Sequence, residues 1–176
     1  FEDASESFGR AVGLDPGLTD GFYHLGLCRE RLGDHPGAAE AFSRVLESEP
    51  GNAGALYHRG IALAKTGNHA EAAASLERAV AVSPTADAWY RLGRARERLG
   101  RFSDAVEALD RALATDPDRA QAWCLRGVAL ARGGDHAAAV DSFEKSVALD
   151  PGIGRAWFGK GYSLQVLGRL PEAREA

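Results

Sequence analysis

The chain has 176 residues, 45% of them hydrophobic and 26% charged, with a formal net charge of −4. This composition supports a folded core and excludes a disordered chain, and an acidic balance without a strong basic patch excludes nucleic acid as a partner. The apolar runs are short and broken by Arg or Asp, so neither a membrane span nor a signal peptide is expected, and the reading is a cytoplasmic protein.

The sequence contains no Met, even at position 1, and reads as a piece of a longer protein. Cys28 and Cys124 are too few for a disulfide framework and lack metal-ligand spacing, so free thiols are expected. No P-loop, dinucleotide-binding glycine fingerprint or nucleophile turn is present, and paired carboxylates such as Asp104 and Glu107 read as a solvated helix face. Neither catalysis nor a cofactor is expected.

In chain order, residues 1–18 read as the second half of a repeating unit, and full units follow at 19–52, 53–85, 86–119 and 120–153, with a truncated unit at 154–176. The stretch GDHPGAAEAF that begins at Gly33 returns at Gly67, Gly100 and Gly134, and Gly168 continues the series at steps of 33 or 34 residues. Pro16, Pro50, Pro84, Pro117 and Pro151 keep the same step, and a fixed period of this size marks a solenoid. Within the unit that starts at Ala86, Trp89, Leu92 and Leu99 fall on one helical face; after Gly100, Ala105, Leu109, Ala112 and Leu113 fall on another. The unit is therefore helix, turn, helix, closed by Pro117.

Numbering each unit so that its proline is position 32, position 8 is always Gly (Gly26, Gly60, Gly93, Gly127, Gly161) and position 20 always Ala, from Ala4 and Ala38 to Ala173. Small side chains let two helices approach closely, and the glycine at position 15 permits the left-handed conformation that ends the first helix. Positions 7 and 11 alternate: Leu25 and Leu92 precede Arg29 and Arg96, whereas Arg59, Arg126 and Lys160 precede Leu63, Leu130 and Leu164. Each seam is expected to hold one leucine and one basic stem whose head reaches water or a carboxylate. His35, His69 and His136 share position 17, spaced too widely along a helix stack to hold one metal ion, and read as turn residues.

The period, the residues "WYRLG", and Ala105, Leu109, Ala112 and Pro117 together resemble the tetratricopeptide repeat over the whole chain. The resemblance implies an all-α fold, a right-handed superhelical solenoid of antiparallel helix pairs with roughly five repeats. It also implies a concave face lined by the first helix of each repeat, chiefly positions 2, 5, 6, 9, 12 and 13. Position 5 then supplies an aromatic ladder, Tyr23, Tyr57, Tyr90 and Phe158, broken at Cys124. Position 13 supplies a basic one, Arg31, Lys65, Arg98 and Arg132, and position 9 gives Leu27, Ile61, Arg94, Val128 and Tyr162. His24, His58 and Arg91 stand at position 6. Arg91, Arg94 and Arg98 share one helical face, with Asp87 and Glu97 spaced to pair with Arg91 and Arg94.

The expected partner is a protein or peptide with acidic or aromatic residues, read at roughly three residues per repeat. Of the residues with which chaperone-binding members of the family grip a C-terminal carboxylate, only Arg91 is matched. The alternatives are a module that selects substrates for a larger enzyme or signalling protein, and a self-assembling structural repeat. End-to-end association is expected through apolar faces left open at the termini, at Phe8 and Val12 on one side and Trp157 and Leu164 on the other, with residues 3–14 docking on the next copy.

Overall fold

A computed structural model describes residues 1–169, all of whose regular structure is helical. The chain divides into two compact units, Phe1–Pro84 and Thr85–Ala176. The first unit holds α1 (Glu2–Leu14), α2 (Thr19–Leu32), α3 (His35–Ser48), α4 (Ala53–Lys65) and α5 (His69–Val82). The second holds α6 (Ala86–Arg98), α7 (Phe102–Thr115), α8 (Ala120–Arg132), α9 (His136–Leu149) and α10 (Gly154–Val166).

The turn inside each repeat has the same chemistry. Gly33 ends α2 with φ of +81°, its N–H donates to Glu30 O at 3.1 Å, and the Asp34 N–H donates to Arg29 O at 2.9 Å. This closes the carbonyls left open at the helix end, and the left-handed region costs glycine little. Asp34 then caps α3 by accepting the Gly37 N–H at 2.9 Å, as Asp135 caps α9 through the Ala138 N–H at 3.0 Å. Between repeats Asn52 caps α4 and Thr85 caps α6 in the same way. The left-handed glycine recurs in register with the period, whereas α5 and α7 begin without a side-chain cap.

In the first unit the core lies between hairpins and between repeats: Ala38, Phe42 and Val45 of α3 pack with Ala55, Ala62 and Leu63 of α4 and Ala72 of α5. In the second, Leu109 and Leu113 of α7 meet Ala122 and Leu125 of α8, and Phe143 and Val147 of α9 meet Ala156 of α10. The position-8 glycines are close-approach points. A Cβ on Gly26 would lie 2.8 Å from the Phe42 ring, and one on Gly127 would lie 2.7 Å from the Phe143 ring. The alanines at position 20 that pack on these seams, Ala38, Ala72, Ala105 and Ala139, are fully buried; Ala173 and Leu170 lie outside the described residues.

The termini differ from the sequence expectation. Val12 and Leu164 are buried rather than open, and Phe8 and Trp157 are half-buried. Phe8 stacks on His24 of α2 with ring centroids 5.3 Å apart, and Val12 packs with Leu25 and Ala41. The apolar side chains that reach solvent in the first unit are instead led by Leu14 and Phe1.

Candidate functional site

The first helix of each repeat carries the residues singled out by position, and within each unit these helices are neighbours: α2 touches α4, and α8 touches both α6 and α10. On the first unit, Tyr23 is half-buried, with its ring edge-on to Phe42 at 5.7 Å and to His58 at 6.3 Å. Its hydroxyl occupies space that Gly54 leaves open, since a Cβ there would lie 2.6 Å away. His58 stacks on the Phe42 ring at 5.4 Å, with an interplanar angle of 20°, and its Nδ1 lies 2.9 Å from the Glu30 carboxylate. Tyr57 meets His58 edge-on at 5.2 Å. Leu27 packs on the core and Ile61 is buried, so neither offers much surface. His24, Arg31 and Lys65 are exposed; the Arg31 guanidinium lies over the Phe1 ring at 5.2 Å. Thus the first unit's face is largely closed by its own aromatic and imidazole rings.

The second unit concentrates charge. Asp87 accepts from Arg91 Nε at 2.9 Å and also pairs with Arg119, whose guanidinium covers the Tyr90 ring at 4.2 Å. Glu97 is only 2% exposed, an unusual place for a carboxylate. Its partner is Arg132 from the following repeat, with Arg98 Nε more distant at 3.9 Å. Spacing along α6 suggested that Glu97 would pair with Arg94; the carboxylate instead points between α6 and α8 towards Arg132. Arg94 is exposed and makes no ion pair or hydrogen bond among the described residues.

Cys124 interrupts the aromatic ladder as a buried free thiol, and burial pushes its titration upward, partly offset by the charge of Arg155. Cys28 is likewise buried and free. Val128, Arg132, Phe158 and Tyr162 gather around one cleft between α8 and α10.

Several partners were not evident beforehand. The Arg59 guanidinium reaches Ser43 and Ser75 at 2.8 and 2.7 Å, and Arg126 reaches Asp110 and Ser142 at 2.7 and 2.8 Å. Lys160 lies 3.2 Å from Glu144. The seam cations are held mainly by residues sixteen positions before or after them. The signal was in the sequence: position 23 is Ser75 and Ser142 where position 7 is Arg, and Ala41 and Ala108 where it is Leu.

Among solved structures the chain is similar to a MamA protein, at 29% identity over 89% of this chain and 86% of that one, with a TM-score of 0.85. A second MamA structure is 30% identical over 86% of this chain and 89% of that one, with a TM-score of 0.82. YrrB, described as a TPR protein with an unusual peptide-binding site, shares the fold at a TM-score of 0.84, with 22% identity over 97% of this chain and 89% of that one. No curated protein matches the sequence. A tetratricopeptide repeat family model matches residues 1–53, 26–89, 57–105 and 90–152. Overlapping matches of that extent, on helix hairpins that turn at evenly spaced left-handed glycines, show that the chain belongs to the tetratricopeptide repeat family.

Proposed function

We propose that this protein-interaction scaffold binds an extended, acidic segment of a partner protein along the face made by the first helices of its second unit, with the α6 and α8 arginines as the main contacts. One observation carries the reading. Around α6 and the start and end of α8, four guanidinium groups (Arg91, Arg98, Arg119 and Arg132) share two carboxylates, Asp87 and Glu97, and Arg94 stands beside them. Both carboxylates are engaged, which leaves Arg94 and most of Arg98 as uncompensated charge facing water. Arg can take a carboxylate through a two-pronged hydrogen bond, so acidic side chains fit this face better than basic or neutral ones. The half-buried Tyr90 ring beside Arg119 adds an apolar surface next to the charge. That a peptide site has been described on the similar fold of YrrB is consistent with this use of the scaffold.

The test is fluorescence anisotropy with two labelled dodecapeptides of repeating Glu-Tyr and Lys-Tyr. The Glu-Tyr peptide should bind and the Lys-Tyr peptide should not. Arg94→Glu combined with Arg98→Glu should weaken the acidic peptide about tenfold or more, with a reduced salt dependence. Equal binding by the wild-type protein and the double variant would overturn the proposal.

A further inference from the structure

Two equivalent places in the chain are built differently. In the first unit, His58 of α4 stacks on Phe42 of α3, and Glu30 of α2 holds the imidazole at 2.9 Å. In the second unit the same repeat positions are Gly159 of α10, Phe143 of α9 and Ala131 of α8. The stacking ring and its carboxylate have both been replaced by the smallest side chains. Gly159 is tightly fitted, because a Cβ there would lie 2.4 Å from the Phe143 ring. The Phe143 ring itself fills the Gly159 side, and on the Ala131 side an open cleft of about 340 Å³ remains between α8 and α10, lined by Val128, Ala131, Phe158 and Tyr162. That volume lies at the small end of the range of ligand pockets, about 300–1,000 Å³, and is large enough for one large side chain.

The rim supplies the second element. No carboxylate lines the cleft, and its cations are Arg132, already engaged by Glu97, and Arg155. Arg155 is exposed and makes no hydrogen bond or ion pair among the described residues. Tyr162 is 53% exposed and lines the same cleft, its ring edge-on to His136 at 5.9 Å.

We infer that the α8–α10 cleft receives one apolar side chain of a partner peptide between Ala131, Phe158 and Tyr162, in the space that the absence of a Glu30 counterpart leaves, with a neighbouring Asp or Glu on Arg155. This inference rests on the proposed peptide-binding role and names the residue pair that the second unit selects. It gives the face two distinguishable contacts: a charged one at Arg94 and Arg98, and an apolar socket between Ala131, Phe158 and Tyr162.

The experiment selects a phage-displayed dodecapeptide library on the chain and measures the enriched peptides by anisotropy against three variants. Ala131→Phe fills the cleft, Arg155→Glu reverses its rim, and Arg94→Glu touches only the charged face. The enriched peptides should share an apolar residue next to Asp or Glu and lose about tenfold or more on both cleft variants, with helicity unchanged. Acidic peptides that bind both cleft variants as they bind the wild type, yet weaken on Arg94→Glu, would overturn the socket and leave the acidic-segment reading standing. No enrichment above a folded non-binding control would overturn both. If Ala131→Phe does not fold, Arg155→Glu decides alone.

Discussion

The Arg126 guanidinium donates to the Ser142 hydroxyl at 2.8 Å, and sixteen residues again separate Arg59 from Ser75, joined at 2.7 Å. Both serines are buried, at 1% exposure, and each sits where the other full repeats place alanine opposite a leucine. The seam thus comes in two matched forms, Arg with Ser and Leu with Ala. Exchanging one member alone removes either the donor that a buried serine accepts from or one of the arginine's acceptors.

Ser142→Ala should therefore destabilise the protein by about 1–3 kcal/mol, because the arginine loses a buried acceptor. Arg126→Leu with Ser142→Ala rebuilds the form found at Leu92 and Ala108, and should recover most of that loss. Urea denaturation of the two single variants and the double variant measures the coupling. A double variant as unstable as the sum of the singles would show that the two forms are not exchangeable units.

The glycines divide by what surrounds them. Gly9 lies within α1, where an added Cβ would find nothing within 4 Å, whereas at Gly127 a Cβ would meet the Phe143 ring at 2.7 Å. Gly9→Ala should gain up to about 1 kcal/mol through helix propensity. Gly127→Ala should lose about 1–3 kcal/mol through overpacking. Thermal melts of the two variants should move in opposite directions; a shared sign would mean that propensity outweighs packing at Gly127.

Most of the fold was legible because it repeats. Period, position-8 glycine and position-20 alanine each recur, so a weak local signal at Gly93 or Ala105 is read several times over. The face was legible less well, for two physical reasons. Spacing along one helix suggests i,i+3 and i,i+4 pairs, as it did correctly for Asp87 and Arg91, but it is blind to the next repeat, which captured Glu97 through Arg132. Position also says where a backbone lies and not how far a side chain reaches the surface: Ile61 and Cys124 occupy the expected helix yet are buried. The cleft beside Ala131 leaves no positive signal in the sequence, since it is made by a side chain that is missing.

Glu97 tests the cross-repeat pairing. A carboxylate with 2% exposure that loses nothing on removal would be idle, but here its truncation removes the ion pair to Arg132 and opens space between α6 and α8. The Arg132 side chain is 53% exposed and stays hydrated without its partner, so the loss is that of a charge-assisted hydrogen bond, about 1–3 kcal/mol for Glu97→Ala. Exposed Glu107 on α7 should tolerate Ala within about 0.5 kcal/mol. Chemical denaturation of both variants decides it, and a Glu97→Ala loss no larger than that of Glu107→Ala would remove the pair from any role in stacking α8 on α6.

Cys124 links burial to pH. Desolvation raises its titration above the ordinary thiol value, and the Arg155 charge offsets only part of the effect. The folded state therefore favours the neutral thiol, while the unfolded chain ionises first as pH rises. The resulting contribution is fully present below the ordinary thiol range and is lost as pH climbs through it towards the folded-state value. Melting temperatures of wild type and Cys124→Ala, followed from neutral to alkaline pH, should show the wild type losing stability faster in the alkaline range. Arg155→Glu removes the offsetting charge and should steepen that loss, and parallel curves for all three proteins would mean that the thiol stays hydrated despite its burial. Because Arg155 also rims the cleft, a peptide carboxylate that neutralises it should push the thiol in the same direction as the substitution does. Slower alkylation of Cys124 at fixed alkaline pH when the enriched peptide is present is the expected result, and it reads out the neutralisation of Arg155.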